Sequence, residues 1–321
     1  MIMNFGELFE KNGMLFTECA VIERVARETA VELDRYLLNA GLVYNESGKK
    51  ILEKIYRQYI DIGMFHELPM IVVTPTWRAN RERIESSSYH DRNVNADCFA
   101  FLNGIRSSYK TFEKNIFIGG LIGCRGDAYK PAEGLSSDAA YEFHGYQIQA
   151  LNDAGVDFLI AETLPALPEA IGISRSMAES GKNYVISFVI RSDGNLLDGN
   201  SLNEAITKID SAVYPKPLFY MVNCVHPAIL EGALAADKNK TETVRGRLFG
   251  IRANTSSRSP EELDKSNKLC ADDPAEFFAS MKRLHLQYGL KIFGGCCGTD
   301  DTHLRKMIDM FLATSQVNQA F

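Results

Sequence analysis

The chain has 321 residues, 45% of them hydrophobic and 24% charged, with a formal net charge of −6 at neutral pH. That balance is ordinary for a soluble globular protein, and with no clustered Lys/Arg run it speaks against a nucleic-acid partner. No stretch of about 18 uninterrupted apolar residues marks a transmembrane helix. Residues 1–13 lack the basic and long apolar regions of a secretory signal, so the expected location is the cytoplasm, with no membrane partner. The seven cysteines are then expected as reduced thiols rather than as a disulfide framework.

In chain order, short apolar β-type runs fall at residues 14–16, 70–74, 116–121, 157–162, 184–190, 218–223, 248–253 and 291–295. Several are continuous apolar runs, as expected where helices cover one face of a parallel sheet and a core fills the other. Helical patterns lie between them. Ile51, Leu52, Ile55, Tyr56, Tyr59 and Ile60 make one apolar stripe. Ser201 with Glu204 reads as a capping box, and Asp273-Pro274 as an N-cap followed by proline at the first helical position. Gly155, Gly181 and Gly289 stand where helices should end. Eight such repeats favour a closed (β/α)8 TIM barrel, a single α/β domain over residues 1–321, with an open doubly wound sheet as the runner-up. The runner-up lacks a Gly-x-Gly-x-x-Gly after its first strand. The polar segments 81–97 and 255–272 are expected to be excursions on the barrel rim.

Cys224, Cys296 and Cys297 fall at the C-terminal ends of the sixth and eighth expected strands, on the face where barrel enzymes do their chemistry. Adjacent strand residues point to opposite faces, so Cys296 and Cys297 share a ligand only where the chain bends. Gly294, Gly295 and Gly298 permit that bend. Three thiolates suit zinc at roughly 2.3 Å per bond and leave a fourth tetrahedral position open. A lone Cys224 would read as a small buried hydrophobe, and the adjacent pair could also be a redox feature. Cys19, Cys98, Cys124 and Cys270 read as core or surface thiols.

Gly294-Gly-Cys-Cys-Gly-Thr299 together with Val222-Asn-Cys224 resembles the homocysteine S-methyltransferase family. Weaker matches extend over nearly the whole chain: Ile60-Asp-Ile-Gly63 leading into Thr74-Pro-Thr76, Ala161-Glu-Thr163, Leu196-Leu-Asp-Gly199 and Asn254-Thr-Ser-Ser-Arg258. The resemblance implies a barrel enzyme that carries Zn2+ on Cys224, Cys296 and Cys297. It implies a small-molecule thiol acceptor, homocysteine, and a methyl donor of the S-methylmethionine, S-adenosylmethionine or betaine kind, with methionine as the product. Glu162 is implied as a partner for the substrate ammonium, and Gly13 as a glycine close to the substrate.

The family usually opens with Asp-Gly-x-x-Gly-Thr-Glu. Set against Asn12-Gly-Met-Leu-Phe-Thr-Glu18, that pattern puts Asn12 among the substrate contacts at the ammonium site, where the family has an acid, and Phe16 as added bulk near the barrel mouth. Asn223 is expected to orient its loop behind the metal ligand. Arg252 and Asn254 divide between binding a carboxylate and a structural role. His226 is expected to cap a helix, Asp127 to sit in a loop, and Trp77 with Arg78 to pack on the rim. A zinc hydrolase and a zinc-retaining binding protein without turnover are the competing functions. The sequence is compatible with a homo-oligomer and does not fix the oligomeric state.

Overall fold

The computed structural model describes residues 3–258 and 272–318. Eight parallel strands close in sequential order: β1 (Leu15–Thr17), β2 (Met70–Val73), β3 (Ile116–Gly123), β4 (Phe158–Leu164), β5 (Tyr184–Phe188), β6 (Phe219–Val225), β7 (Leu248–Ala253) and β8 (Ile292–Gly295). β8 returns to β1 through Leu15↔Ile292 and Phe16↔Phe293. Closure removes every unpaired sheet edge, which settles the choice between barrel and open sheet.

The strands are buried on both faces, which is why they lack polar alternation. Ile71, Val73, Phe158, Ile160, Phe219 and Met221 fill the barrel interior, while Val72, Leu159, Tyr220 and Val222 pack outward against the helices. The helix Glu46–Phe65 buries the stripe read from sequence, with Ile51 only partly covered. The Ser201 capping box forms, and Asp273 caps the helix Pro274–Tyr288, which ends at left-handed Gly289. Gly155 closes the helix Ser137–Ala154 in the same way.

The helix Phe5–Lys11 has no counterpart in the strand–helix repeat, although Asn4 and Glu7 form a capping box at its start. It plugs the N-terminal end of the barrel. Phe5 stacks on Phe158 with ring centroids 3.7 Å apart, and Phe9 stacks on Phe219 at 4.6 Å. Part of the expected excursion at residues 81–97 is helical, as Arg81–Ser86 and the start of Val94–Ser107. Most of the segment 255–272, with Cys270, lies outside the described residues. Among the described residues no helix is long and apolar enough to cross a membrane.

Candidate metal and substrate site

Period-two alternation carries the interior sets of β4 and β6 one step further, to Glu162 and Asn223. The same parity would point Cys224 outward. Instead the pairing of β6 with β7 shifts between Asn223 and Val225, and Cys224 adopts φ 53°. A bulge of this kind re-aims a side chain, and here it turns the sulfur to the C-terminal mouth. β4 does the same one strand-pair away: its pairing with β5 shifts between Ala161 and Leu164, with Thr163 at φ 61°. Non-glycine residues rarely hold such angles unless their surroundings impose them.

The Asn223 side chain joins the two segments. Its Oδ1 accepts from the Thr163 backbone N–H at 2.8 Å and from Ser187 Oγ at 2.7 Å, and its Nδ2 donates to Thr163 Oγ1 at 2.7 Å. Asn223 is thus the tie between the two bulges, and it is 1% exposed.

Cys296 and Cys297 are brought together by the turn that leaves β8. Cys296 N–H donates to Ala253 O at 2.7 Å, and Thr299 Oγ1 closes the turn on Cys296 O at 2.5 Å. Gly298 takes the left-handed φ of 82°, and a Cβ there would strike Thr255. At Gly295 the reason for glycine is space: a Cβ would collide with Thr299 and sit 2.7 Å from Cys19 Sγ.

The sulfurs of Cys224, Cys296 and Cys297 all lie within 4.8 Å of one another, with Cys296 and Cys297 Sγ 4.0 Å apart. Two sulfurs bound tetrahedrally at ~2.3 Å would stand about 3.8 Å apart, so this spacing and donor chemistry fit a soft cation. The structure joins Cys224 to Cys296 as a disulfide, with Cα atoms 5.4 Å apart, and Cys297 as a free thiol. Sulfurs aimed at one point from two strand ends come within bonding reach of each other. Burial pushes the Cys297 thiol up to about 11, with Glu23 adding to the shift. Cys19, Cys98 and Cys124 are buried, apart from this cluster.

The sulfurs share a cavity of about 180 Å³ with Glu18, Glu23, Trp77, Glu162, Asn223 and Arg252. On its floor Arg252 lies between two acids. Its Nη1 donates to both oxygens of Glu162 at 2.8 Å, and its Nη2 to Glu18 Oε1 at 3.3 Å. Glu18 Oε2 also accepts from Val73 N–H at 2.9 Å. Burial pushes the Glu18 carboxyl up to about 8, against the opposing pull of Arg252. Glu18 was not singled out from the sequence. The signal was present, since it follows the first expected strand just as Glu162 ends the fourth.

Two of the expected substrate contacts are corrected. Asn12 and Gly13 precede β1 at the N-terminal end of the barrel. Asn12 Nδ2 donates to Leu8 O at 2.9 Å and finishes the plug helix. Phe16 does not narrow the mouth: it is buried in the layer outside the barrel wall, beside Phe311. The misplacement has a simple origin, since a loose motif was pinned three residues before a strand whose functional end lies after it.

His226 caps the helix Pro227–Ala235, accepting from Ala228 N–H. Asp127 is a loop residue that accepts from Tyr129 N–H and pairs with Lys130. Trp77 faces the cavity rather than the rim alone, and the Arg78 guanidinium stacks on it at 4.0 Å while donating to Cys124 O and Gly126 O.

Fold and site define a (β/α)8 barrel with a three-sulfur centre at its C-terminal mouth. Residues 18–311 match the family described as homocysteine S-methyltransferase, and the chain belongs to that family. It is 26% identical over 184 residues to homocysteine S-methyltransferase YbgG of Bacillus subtilis, covering 57% of this chain and 55% of the relative. It is 30% identical over 178 residues to the homocysteine S-methyltransferase of Escherichia coli, 54% of each. These alignments span about half the length of the curated relatives. Among solved structures, the E. coli homocysteine methyltransferase MmuM in its metallated form superposes with a TM-score of 0.73 at 17% identity, covering 94% of this chain and 98% of that one. The match begins at Glu18, which leaves Asn12 and Gly13 outside it.

Proposed function

We propose that this chain transfers a methyl group from a cationic donor to the thiol of homocysteine, giving methionine, with zinc held by Cys224, Cys296 and Cys297. The observation that carries the reading is the convergence of three sulfurs from two strand ends on the catalytic face of a family barrel. When bound, zinc supplies the Lewis acidity that lets a thiol shed its proton near neutral pH. In the transfer, an electron pair of the acceptor sulfur forms the new S–CH3 bond. The pair of the breaking bond leaves with the donor, cancelling its positive charge.

The chain's own residues do the rest. Asn223 holds Thr163 in its bulged conformation and fixes β4 against the segment that carries Cys224. Glu162 supplies a carboxylate for the ammonium of the acceptor. With Glu18 kept protonated by burial, Glu23 and Glu162 still outnumber Arg252 in the cavity lining, which favours a sulfonium or quaternary ammonium donor over an anionic one. A water-activating zinc site is disfavoured, because three thiolates make the metal a weak Lewis acid toward water and no histidine joins the cluster among the described residues.

The test uses freshly reduced, zinc-loaded protein, with methionine formation from homocysteine followed for S-methylmethionine, S-adenosylmethionine and betaine in turn. Turnover with at least one donor, abolished by a chelator, is expected. Bound zinc at about one per chain with no methionine from any donor would overturn the reading.

A further inference from the structure

Arg252 is held unevenly by its two acids. One nitrogen, Nη1, serves both oxygens of Glu162 at 2.8 Å, whereas Nη2 reaches Glu18 only at 3.3 Å. Nε is buried and has no partner among the described residues. A guanidinium carries five donors in a rigid fork, so Arg252 keeps unused hydrogens at the floor of the cavity that holds the three cysteines. A buried donor without an acceptor is costly in a finished protein structure, and a planar fork with free edges suits a carboxylate.

Charge balance narrows the ligand. A ligand bearing only a carboxylate meets the Glu162 carboxylate as well as Arg252. One bearing only an ammonium meets a Glu162 already bonded to Arg252. A zwitterion brings both charges on one carbon, matching an acid and a guanidinium that stand side by side.

We infer that Arg252 determines acceptor specificity by receiving the α-carboxylate of a zwitterionic thiol amino acid, while Glu162 beside it takes the ammonium. This rests on the proposed thiol methylation and deepens it. The contact to Glu18 is the longer one and gives way to the incoming carboxylate, whereas the paired contact to Glu162 stays.

The test reads binding separately from turnover. Trp77 is the only tryptophan of the chain and lines the cavity, so its emission reports occupancy of the zinc-loaded protein. Homocysteine is titrated against aminopropanethiol, its decarboxylated analogue. The wild type is expected to bind homocysteine at least about tenfold tighter, in line with losing one charged contact. Arg252→Gln should remove that preference by weakening homocysteine alone, leaving aminopropanethiol unchanged or tighter. Arg252→Lys, which keeps the charge without the fork, should retain part of it. Equal weakening of both thiols by Arg252→Gln would reduce Arg252 to a clamp between β1, β4 and β7 and overturn the inference. Where Arg252→Gln fails to fold or hold zinc, the wild type decides, because equal affinity for the two thiols also overturns it. Discrimination in Trp77 emission without methyl transfer would sink the methylation reading and leave the carboxylate site standing. Turnover without discrimination would do the reverse.

Discussion

At the N-terminal end of the barrel, Phe5 and Phe9 stack on Phe158 and Phe219, the interior side chains are apolar, and the Lys291 ammonium caps the stack over the Phe9 ring at 3.6 Å. At the C-terminal end the same strands β4 and β6 break register, two non-glycine residues take left-handed angles, and Glu18, Glu162 and Arg252 are buried beside three sulfurs. The two ends share strands and differ in what burial achieves. Below, apolar contact stabilises the fold; above, buried charge and backbone strain are tolerated because they aim donor atoms. Stability and chemistry are therefore separable along a single strand, and substitutions at either end should reveal it.

The largest effect is expected at the mouth. Cys296→Ser should lose metal and methyl transfer together, while the melting temperature of the metal-free protein stays close to that of metal-free wild type, since the residue sits above the core. Normal turnover in that variant would remove the three-sulfur centre from the mechanism. At the plugged end Phe158→Ala should do the opposite. It should cost about 3–5 kcal/mol of unfolding free energy, read by denaturant titration, with bound metal per folded chain unchanged.

Asn223→Ala tests the tie between the bulges. It leaves the Thr163 N–H without its acceptor, a loss of about 1–3 kcal/mol. It should also lower metal affinity or turnover by about 10–100-fold, although Asn223 is no ligand. A purely structural role would move stability alone.

Glu18 gives a pH signature. Its carboxyl releases its proton near 4.5 when unfolded and near 8 when folded. A raised folded value means that the folded state holds the proton longer. The stability this confers is present below 4.5 and is lost as the pH climbs to about 8. Glu18→Gln should flatten that part of the stability–pH curve in denaturant melts across the window, and an unchanged slope would contradict a neutral buried Glu18. The smallest effect belongs to Asn12→Ala. It should leave the Michaelis constant for homocysteine untouched and shift stability by no more than about 0.5 kcal/mol, because the side chain finishes a helix at the far end.

Much of the molecule was legible in the chain. Continuous apolar runs separated by capped amphipathic stretches specify parallel strands with covering helices, and eight of them favour closure over an open sheet. The Gly-Gly-Cys-Cys-Gly run and its upstream Asn-Cys marked the sulfur cluster, because sulfur donors and flanking glycines are local features of sequence. Other features could not be read there. Whether Cys224 faces the cavity depends on a register shift against β7, and strand parity alone gives the wrong side. Arg252 and Glu162 lie on β7 and β4 and Glu18 directly follows β1, so only closure of the barrel makes them neighbours. The sequence by itself determined the repeating architecture and the residue types that can hold a soft metal, because periodicity and donor chemistry are encoded within a few residues. The tertiary structure decided which donors converge, which charges neutralise one another and which end of the barrel gathers them, because those depend on contacts between residues far apart in the chain.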